Sequence, residues 1–246
     1  MWRMRETSPE QLIEDARVAR SPRLDLSRCG LDELPDAVRR LTHLESLDLK
    51  FNNLDDLPGW LPELDRLVQL DVQANNLEQV PEVLGSLTGL RTLDLSENNL
   101  EGEPLDFLGR LTNLTRLALI DTRSDRLPPS IGNLTALTDL DLYLGWFTSS
   151  PESLPPALGQ LTNLTRLELS RNGLTTVPEW VRGLTNLRVL GLWLNEIDDL
   201  PAWLGELTEL TELSLPGEPS DDLLAVLRGL PHLRKLSLDS EEVDLG

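Results

Sequence analysis

The sequence predicts an α/β solenoid: short parallel strands stacked on one face, irregular or short helical returns on the other, and a helix over the amino-terminal end. Three observations lead there. Leucine makes up 60 of the 246 residues, against 6 Trp, 3 Phe and 1 Tyr. A phrase of the form Leu-x-x-Leu-x-x-Leu-x-Leu-x-x-Asn-x-Leu-x-x-Leu-Pro recurs along nearly the whole chain. The first leucine of each Leu-x-Leu pair falls at Leu24, Leu47, Leu70, Leu93, Leu117, Leu140, Leu167, Leu190, Leu213 and Leu236. The spacing is 23 residues with two departures, 24 before Leu117 and 27 before Leu167. A fixed period in this range means stacked layers, because no single unit can bury its own apolar face.

Residues 1–22 form the cap. Ser8 is placed to cap a helix, Pro9 suits its first position, and Gln11 completes a capping-box pattern. Leu12, Ala16 and Ala19 share one face of residues 8–20, with Ile13 beside them. Residues 23–246 form the solenoid of about ten repeats. In each Leu-x-Leu the leucines point inward and the middle residue points to the opposite face. Asn52, Asn75, Asn98, Asn172 and Asn195 follow where the chain turns away from the strand, and a carboxamide there can satisfy buried backbone groups. Cys29 holds the same position in the first repeat and reads as structural. The prolines of Leu34-Pro35, Leu57-Pro58, Leu127-Pro128 and Leu200-Pro201 open the return, where a missing donor is harmless. Trp60, Trp180 and Trp203 sit two residues beyond such prolines and are expected to pack between returns. After the last strand, Glu241, Glu242 and Asp244 are expected to discourage edge-to-edge pairing.

The repeated phrase, with its Asn-or-Cys position and Leu-Pro step, resembles the leucine-rich repeat family in its 23-residue form. That resemblance implies a horseshoe with ten parallel short strands on the concave face. The helix running into Leu24-Asp25-Leu26-Ser27 is similar to the start of bacterial leucine-rich repeat proteins, including the Roco type and Ras-group relatives. No Gly-x4-Gly-Lys-Ser/Thr phosphate loop accompanies it.

Charge and composition narrow the function. Acids outnumber bases 42 to 22, a formal net charge of −20. Nucleic acid and an anionic membrane would both be repelled, so neither is an expected partner; a basic protein is. Residues 1–40 are neutral, whereas residues 196–246 carry 13 acids and 3 bases, so attraction is strongest toward the carboxyl end. A single cysteine and two histidines, His43 and His232, leave no metal site in view, and no cofactor is implied. No nucleophile, base and orienting group stand outside the repeat pattern, so no catalytic residue is assigned. Neither a signal peptide nor a membrane-length apolar run is visible, which makes the cytoplasm the expected compartment. The Asn-Leu-Thr triplets at Asn113, Asn133 and Asn163 belong to the repeat and do not mark a secreted surface.

The concave face holds the candidate site. Its central column reads Asp25, Asp48, Asp71, Asp94, Ala118, Asp141, Glu168, Gly191, Ser214 and Ser237. Neighbouring carboxylates repel one another, and a basic ligand would relieve the repulsion; the alternative is that they are solvated family positions. Ile120, Tyr143 and Trp193 lie in the next column, and Leu144 and Leu194 beyond it; these large apolar groups should face out of the sheet as interface anchors. The longer sixth repeat carries Trp146 and Phe147, placed either at the rim beside Tyr143 or folded back over the core. Arg116, Asp139 and Arg166 share one column and are expected to pair across strands. The function expected is a non-enzymatic interaction module binding a basic protein. An inhibitor or immunity-type protein, or a signalling scaffold acting with a small GTPase, are the alternatives. The sequence leaves oligomeric state open.

Overall fold

Each repeat contributes one strand, and the strands hydrogen-bond in chain order into a single sheet. They are β1 (Arg23–Asp25), β2 (Ser46–Asp48), β3 (Gln69–Asp71), β4 (Thr92–Asp94), β5 (Arg116–Ala118), β6 (Asp139–Asp141), β7 (Arg166–Glu168), β8 (Val189–Gly191), β9 (Glu212–Leu215), β10 (Lys235–Leu238) and β11 (Glu241–Val243). The computed structural model describes residues 7–102, 105–145, 147, 153–217, 219–238 and 241–243.

From β1 to β10 the pairing is parallel and in phase, Leu24 beside Leu47, Leu47 beside Leu70, and so on to Leu213 beside Leu236. The register follows from the repeat, since a slip by one residue would exchange leucine for aspartate in the core. Leu26, Leu49, Leu95, Leu119, Leu142, Leu169, Leu192 and Leu215 are fully buried, as are Leu44, Leu90, Leu114, Leu137, Leu164, Leu187 and Leu210 just before the strands. Burying each leucine contributes about 1.5–3 kcal/mol. The prolines open short 3-10 turns on the convex side, among them Asp36–Arg40 after Pro35 and Ala202–Glu206 after Pro201.

The asparagines form a ladder between layers. The Asn52 carboxamide accepts from the N–H groups of Cys29 (3.0 Å) and Leu31 (3.1 Å) and donates to the carbonyls of Leu26 (3.0 Å) and Leu49 (2.7 Å). Asn75 and Asn98 repeat the arrangement one and two layers on, and Asn172 and Asn195 resume it. Thr122 and Gly145 interrupt the ladder in the fifth and sixth repeats, the sixth being the one lengthened to 27 residues. Cys29 ends it, half-buried, its thiol donating to the Ser27 carbonyl at 3.6 Å. The residue before each ladder position has positive φ: Arg28, Phe51, Ala74, Glu97, Asp121, Leu144, Arg171, Leu194 and Gly217. Left-handed backbone costs a side-chain-bearing residue about 1–2 kcal/mol. Here it is offset by interlayer hydrogen bonds, such as Phe51 N–H to the Gln73 carbonyl (2.9 Å) and Arg171 N–H to that of Trp193 (2.8 Å).

Both ends are covered. Helix α1 (Pro9–Ala19) seats Ile13 and Ala16 against the first repeat, and the Ser8 hydroxyl accepts from Gln11 N–H at 3.3 Å. The capping box is not reciprocal, because the Gln11 side chain donates forward to Asp15 at 2.7 Å. Ala19, expected on the buried face, is exposed, since the helix ends there and Arg20 turns left-handed. At the other end the final return is a true helix, α2 (Asp221–Arg228), which buries Leu223 and Leu227. The eleventh strand departs from the expected ten. β11 doubles back antiparallel to β10, pairing Val243 with Leu236. Glu241 and Glu242 therefore do not keep β10 unpaired; they stand exposed on the strand that covers it, while Val243 packs toward the core. Asp244 lies outside the described residues.

On the convex side Trp60, Trp180 and Trp203 pack partly buried against the core, as expected. The indole N–H of Trp60 donates to Asp36 (2.9 Å) and that of Trp203 to Glu179 (3.1 Å), each an acid 24 residues earlier. For Trp180 the equivalent position is Pro156, and its indole nitrogen is buried without a partner.

Candidate interaction surface

The central column does structural work first. Asp25, Asp48, Asp71, Asp94 and Asp141 each accept a hydrogen bond from the N–H two residues on, at 2.9–3.1 Å, and Glu168 does the same from Ser170 at 3.0 Å. These bonds hold the chain as it leaves the strand for the left-handed turn. The mutual repulsion of the aspartates is partly relieved from within: the Lys50 ammonium lies 2.8 Å from Asp48 and 3.6 Å from Asp71. The Asp48 hydrogen bond in turn raises the pKa of Lys50.

Asp71 still carries the strain of that column. Burial pushes its carboxyl up to about 6, with Asp94 and Asp48 adding to the push against the Gln73 N–H and Lys50. Its proton is therefore held more tightly in the fold than in the unfolded chain. The associated stability is fully present below the unfolded value and is lost as pH rises through about 6. Asp71→Asn keeps the acceptor and removes the charge. We expect this variant to exceed the parent in stability by about 1–2 kcal/mol at pH 7.5, allowing for partial exposure. The advantage should close as pH falls toward 4, which urea titrations across that range will measure. A gap independent of pH would show that Asp71 is not the titrating group.

Farther along, Arg116 and Arg166 flank Asp139 at 3.6 Å each, the cross-strand pairing expected. Arg166 is shared more widely, reaching Asp141 at 3.5 Å and Glu168 at 3.6 Å. Burial, with Glu168 beside it, raises the Asp141 carboxyl in spite of Arg166.

Of the proposed anchors, the structure brings Tyr143, Trp193 and Glu168 to one place. They line a hollow of about 240 Å³ with Ser170, Ser214 and Ser237. Tyr143 is half-buried and its hydroxyl faces the Arg171 guanidinium at 3.4 Å. Leu194 is exposed at 44%, whereas Leu144 is half-buried; both sit at left-handed turns at the edge of the sheet. Ile120 is half-buried above β5, and Asp48, Asp71 and Asp94 form a separate group on β2–β4, the first two sharing Lys50.

Of the two placements open to Phe147, the structure takes the core, which removes it from the partner-binding residues expected. It is 2% exposed. The sixth repeat has Gly145 where others have asparagine, and a Cβ there would overlap the Phe147 ring. The missing side chain leaves the space the ring fills. Trp146 lies outside the described residues. The residues passed over in the sequence are the small ones, Gly191, Ser214 and Ser237. They appear in the acidic column as a lapse of the pattern, and the signal was their adjacency in three successive repeats. Among the described residues no cluster of three or more His, Cys, Asp or Glu is arranged to hold a metal, and no helix is long and apolar enough to cross a membrane.

A family model described as a leucine-rich repeat region matches residues 23–117 and 89–194, well over half of the chain. The chain belongs to the leucine-rich repeat family. Comparison with curated protein sequences gives no match. Among solved structures, a Leptospira interrogans leucine-rich repeat protein, LIC12759, shares 25% identity over 98% of this chain and 77% of its own, with a TM-score of 0.63. The functional domain of InlJ from Listeria monocytogenes, which includes a cysteine ladder, is 22% identical over 85% of this chain, with a TM-score of 0.63, and shows the shared fold alone. The Arabidopsis receptor kinase HAESA, in complex with the peptide hormone IDA and the co-receptor SERK1, is 27% identical over 88% of this leucine-rich repeat chain, with a TM-score of 0.66. The chain spans only 42% of the InlJ structure and 41% of the HAESA structure.

Proposed function

We propose that this leucine-rich repeat chain is a non-enzymatic interaction module that docks a basic protein on its concave face. The observation that carries the reading is the meeting of Tyr143, Trp193 and Glu168 around one concave hollow. Aromatic groups beside a carboxylate, at the centre of a concave surface, are what an interface anchor is made of. The net charge of −20 and its concentration toward the carboxyl end favour a basic partner and speed its approach. The complex of HAESA with a peptide hormone supports the general mode. Within this reading the chain acts either as an inhibitor, its partner being a toxin or enzyme, or as a signalling scaffold, its partner being a small GTPase; the partner's identity separates them.

The test is affinity capture from the native lysate with two folded variants. Tyr143→Ala/Trp193→Ala should weaken capture by about a hundredfold or more, two anchors being removed. Asp48→Asn/Asp71→Asn/Asp94→Asn should slow association and flatten its dependence on salt. Equal capture by the parent and both variants would exclude the concave face as the site. Capture of the parent unchanged between low and high salt would exclude a basic partner.

A further inference from the structure

Along the central concave column the acids stop at Glu168, and Gly191, Ser214 and Ser237 continue it in register. Ser214 and Ser237, with Ser170, line a hollow of about 240 Å³ walled by Tyr143 and Trp193. Glu168 borders it with a side chain 17% exposed, held by the Ser170 N–H at 3.0 Å. A Cβ on Gly191 would overlap the Glu168 carboxylate, so that carboxylate leans over the glycine of the next layer. Its neighbouring cation, Arg166, lies 3.6 Å away and is divided among Glu168, Asp141 and Asp139. One guanidinium is thus shared by three carboxylates, Arg116 reaches only Asp139, and Arg171 faces the Tyr143 hydroxyl at 3.4 Å, so among the described residues Glu168 has only a share of Arg166 within ion-pair distance. The upward push on Asp141 has the same origin in part. Lys235 and Glu212, one charge of each sign, line the adjoining smaller hollow and nearly cancel.

We propose that the hollow between Tyr143 and Trp193 receives an arginine side chain of the partner, its guanidinium stacked on the aromatic walls and paired with Glu168. The flat fork of arginine suits both contacts at once, whereas lysine offers a hydrated point charge. A bare apolar side chain would leave Glu168 desolvated without a counter-charge. This inference rests on the concave face being the partner site.

The full chain is titrated with acetyl-Gly-Gly-Arg-Gly-Gly-amide and with its lysine, citrulline and leucine counterparts. Calorimetry gives the affinity, and a fluorotryptophan signal assigned to Trp193 reports the location. The arginine peptide should bind about tenfold or more tightly than the citrulline peptide, and more tightly than the lysine one. Glu168→Gln keeps an acceptor for the Ser170 N–H and should abolish the preference for arginine over citrulline. Trp193→Ala should weaken arginine binding, while Asp48→Asn/Asp71→Asn/Asp94→Asn, acting only at long range, should reduce the preference less than Glu168→Gln does. Equal binding of arginine and citrulline, or of arginine and lysine, overturns the assignment. So does a loss in the remote triple variant equal to that in Glu168→Gln, which would mean a diffuse charge effect. If the peptides are not discriminated but Tyr143→Ala/Trp193→Ala still loses the captured protein, the arginine assignment fails and the concave reading stands. If capture survives both concave variants, the underlying reading fails instead.

Discussion

Asn75→Leu should destabilise the protein by about 3 kcal/mol, a large share of a typical folding free energy. The carboxamide accepts from Leu54 N–H at 3.0 Å and donates to the carbonyls of Leu49 (3.0 Å) and Val72 (2.9 Å). Each of those carbonyls also accepts from a neighbouring rung, Asn52 or Asn98, so each keeps one partner after the change. The N–H of Leu54 keeps none, and an orphaned buried donor costs about 1–3 kcal/mol by itself. Asn75→Asp should be at least as damaging at neutral pH, because a carboxylate would face two carbonyl oxygens with no proton to give. Acidification should restore part of that loss as the carboxyl regains a donor. Asn53→Ala, next door and exposed, should stay within about 0.5 kcal/mol. Urea unfolding measures the difference. Hydrogen exchange should place the loosening in the second to fourth repeats and leave β8–β10 protected, since each layer touches only its neighbours. Uniform loosening along the chain would contradict that layer-by-layer account.

The second large effect belongs to the irregular sixth repeat. Phe147→Ala should cost about 3–5 kcal/mol, the range for emptying a core aromatic site. Gly145→Ala should cost a comparable amount by a different route, because its methyl would occupy the place of the Phe147 ring. The double variant should be less damaged than the sum of the two, since the new methyl then fills part of the space the ring has left. Strict additivity in thermal or urea unfolding would mean that the two residues do not share that space. The pair also explains why the asparagine ladder lapses here. Gly145 N–H still donates to Asn172 at 2.8 Å, so the backbone bond to the next rung survives without a carboxamide of its own.

Much of this was legible in the residues. The period of 23 set the layers, and the in-phase register followed because leucine and aspartate alternate across the strand. The ladder positions of Asn52, Asn75, Asn98, Asn172 and Asn195, the capping helix and the packed convex tryptophans could be read the same way. What could not be read lies where the repeat lapses. Phe147 gave no sign of direction, because its burial depends on a glycine two residues earlier and on space inside the layer. β11 carries two adjacent glutamates and no strand pattern of its own; it exists because β10 leaves an edge that Val243 can close.

The candidate site divides along the same line. Tyr143 and Trp193 stood out as departures from a polar column, and Glu168 as the last acid of the central one. That they share one hollow depended on the longer sixth repeat returning to register at β7, so that Tyr143 and Trp193 face each other across Ser170. The aspartates expected as a docking strip also hold their own turns. A carboxylate in that column meets the N–H two residues on, which only the three-dimensional path of the chain reveals. By itself, then, the sequence determined the layered core and its register, because every layer repeats one local solution to the burial of leucine. Only the tertiary structure decided which surface groups meet, because side chains 25 residues apart become neighbours through stacking, and the irregular layers set what lies opposite what.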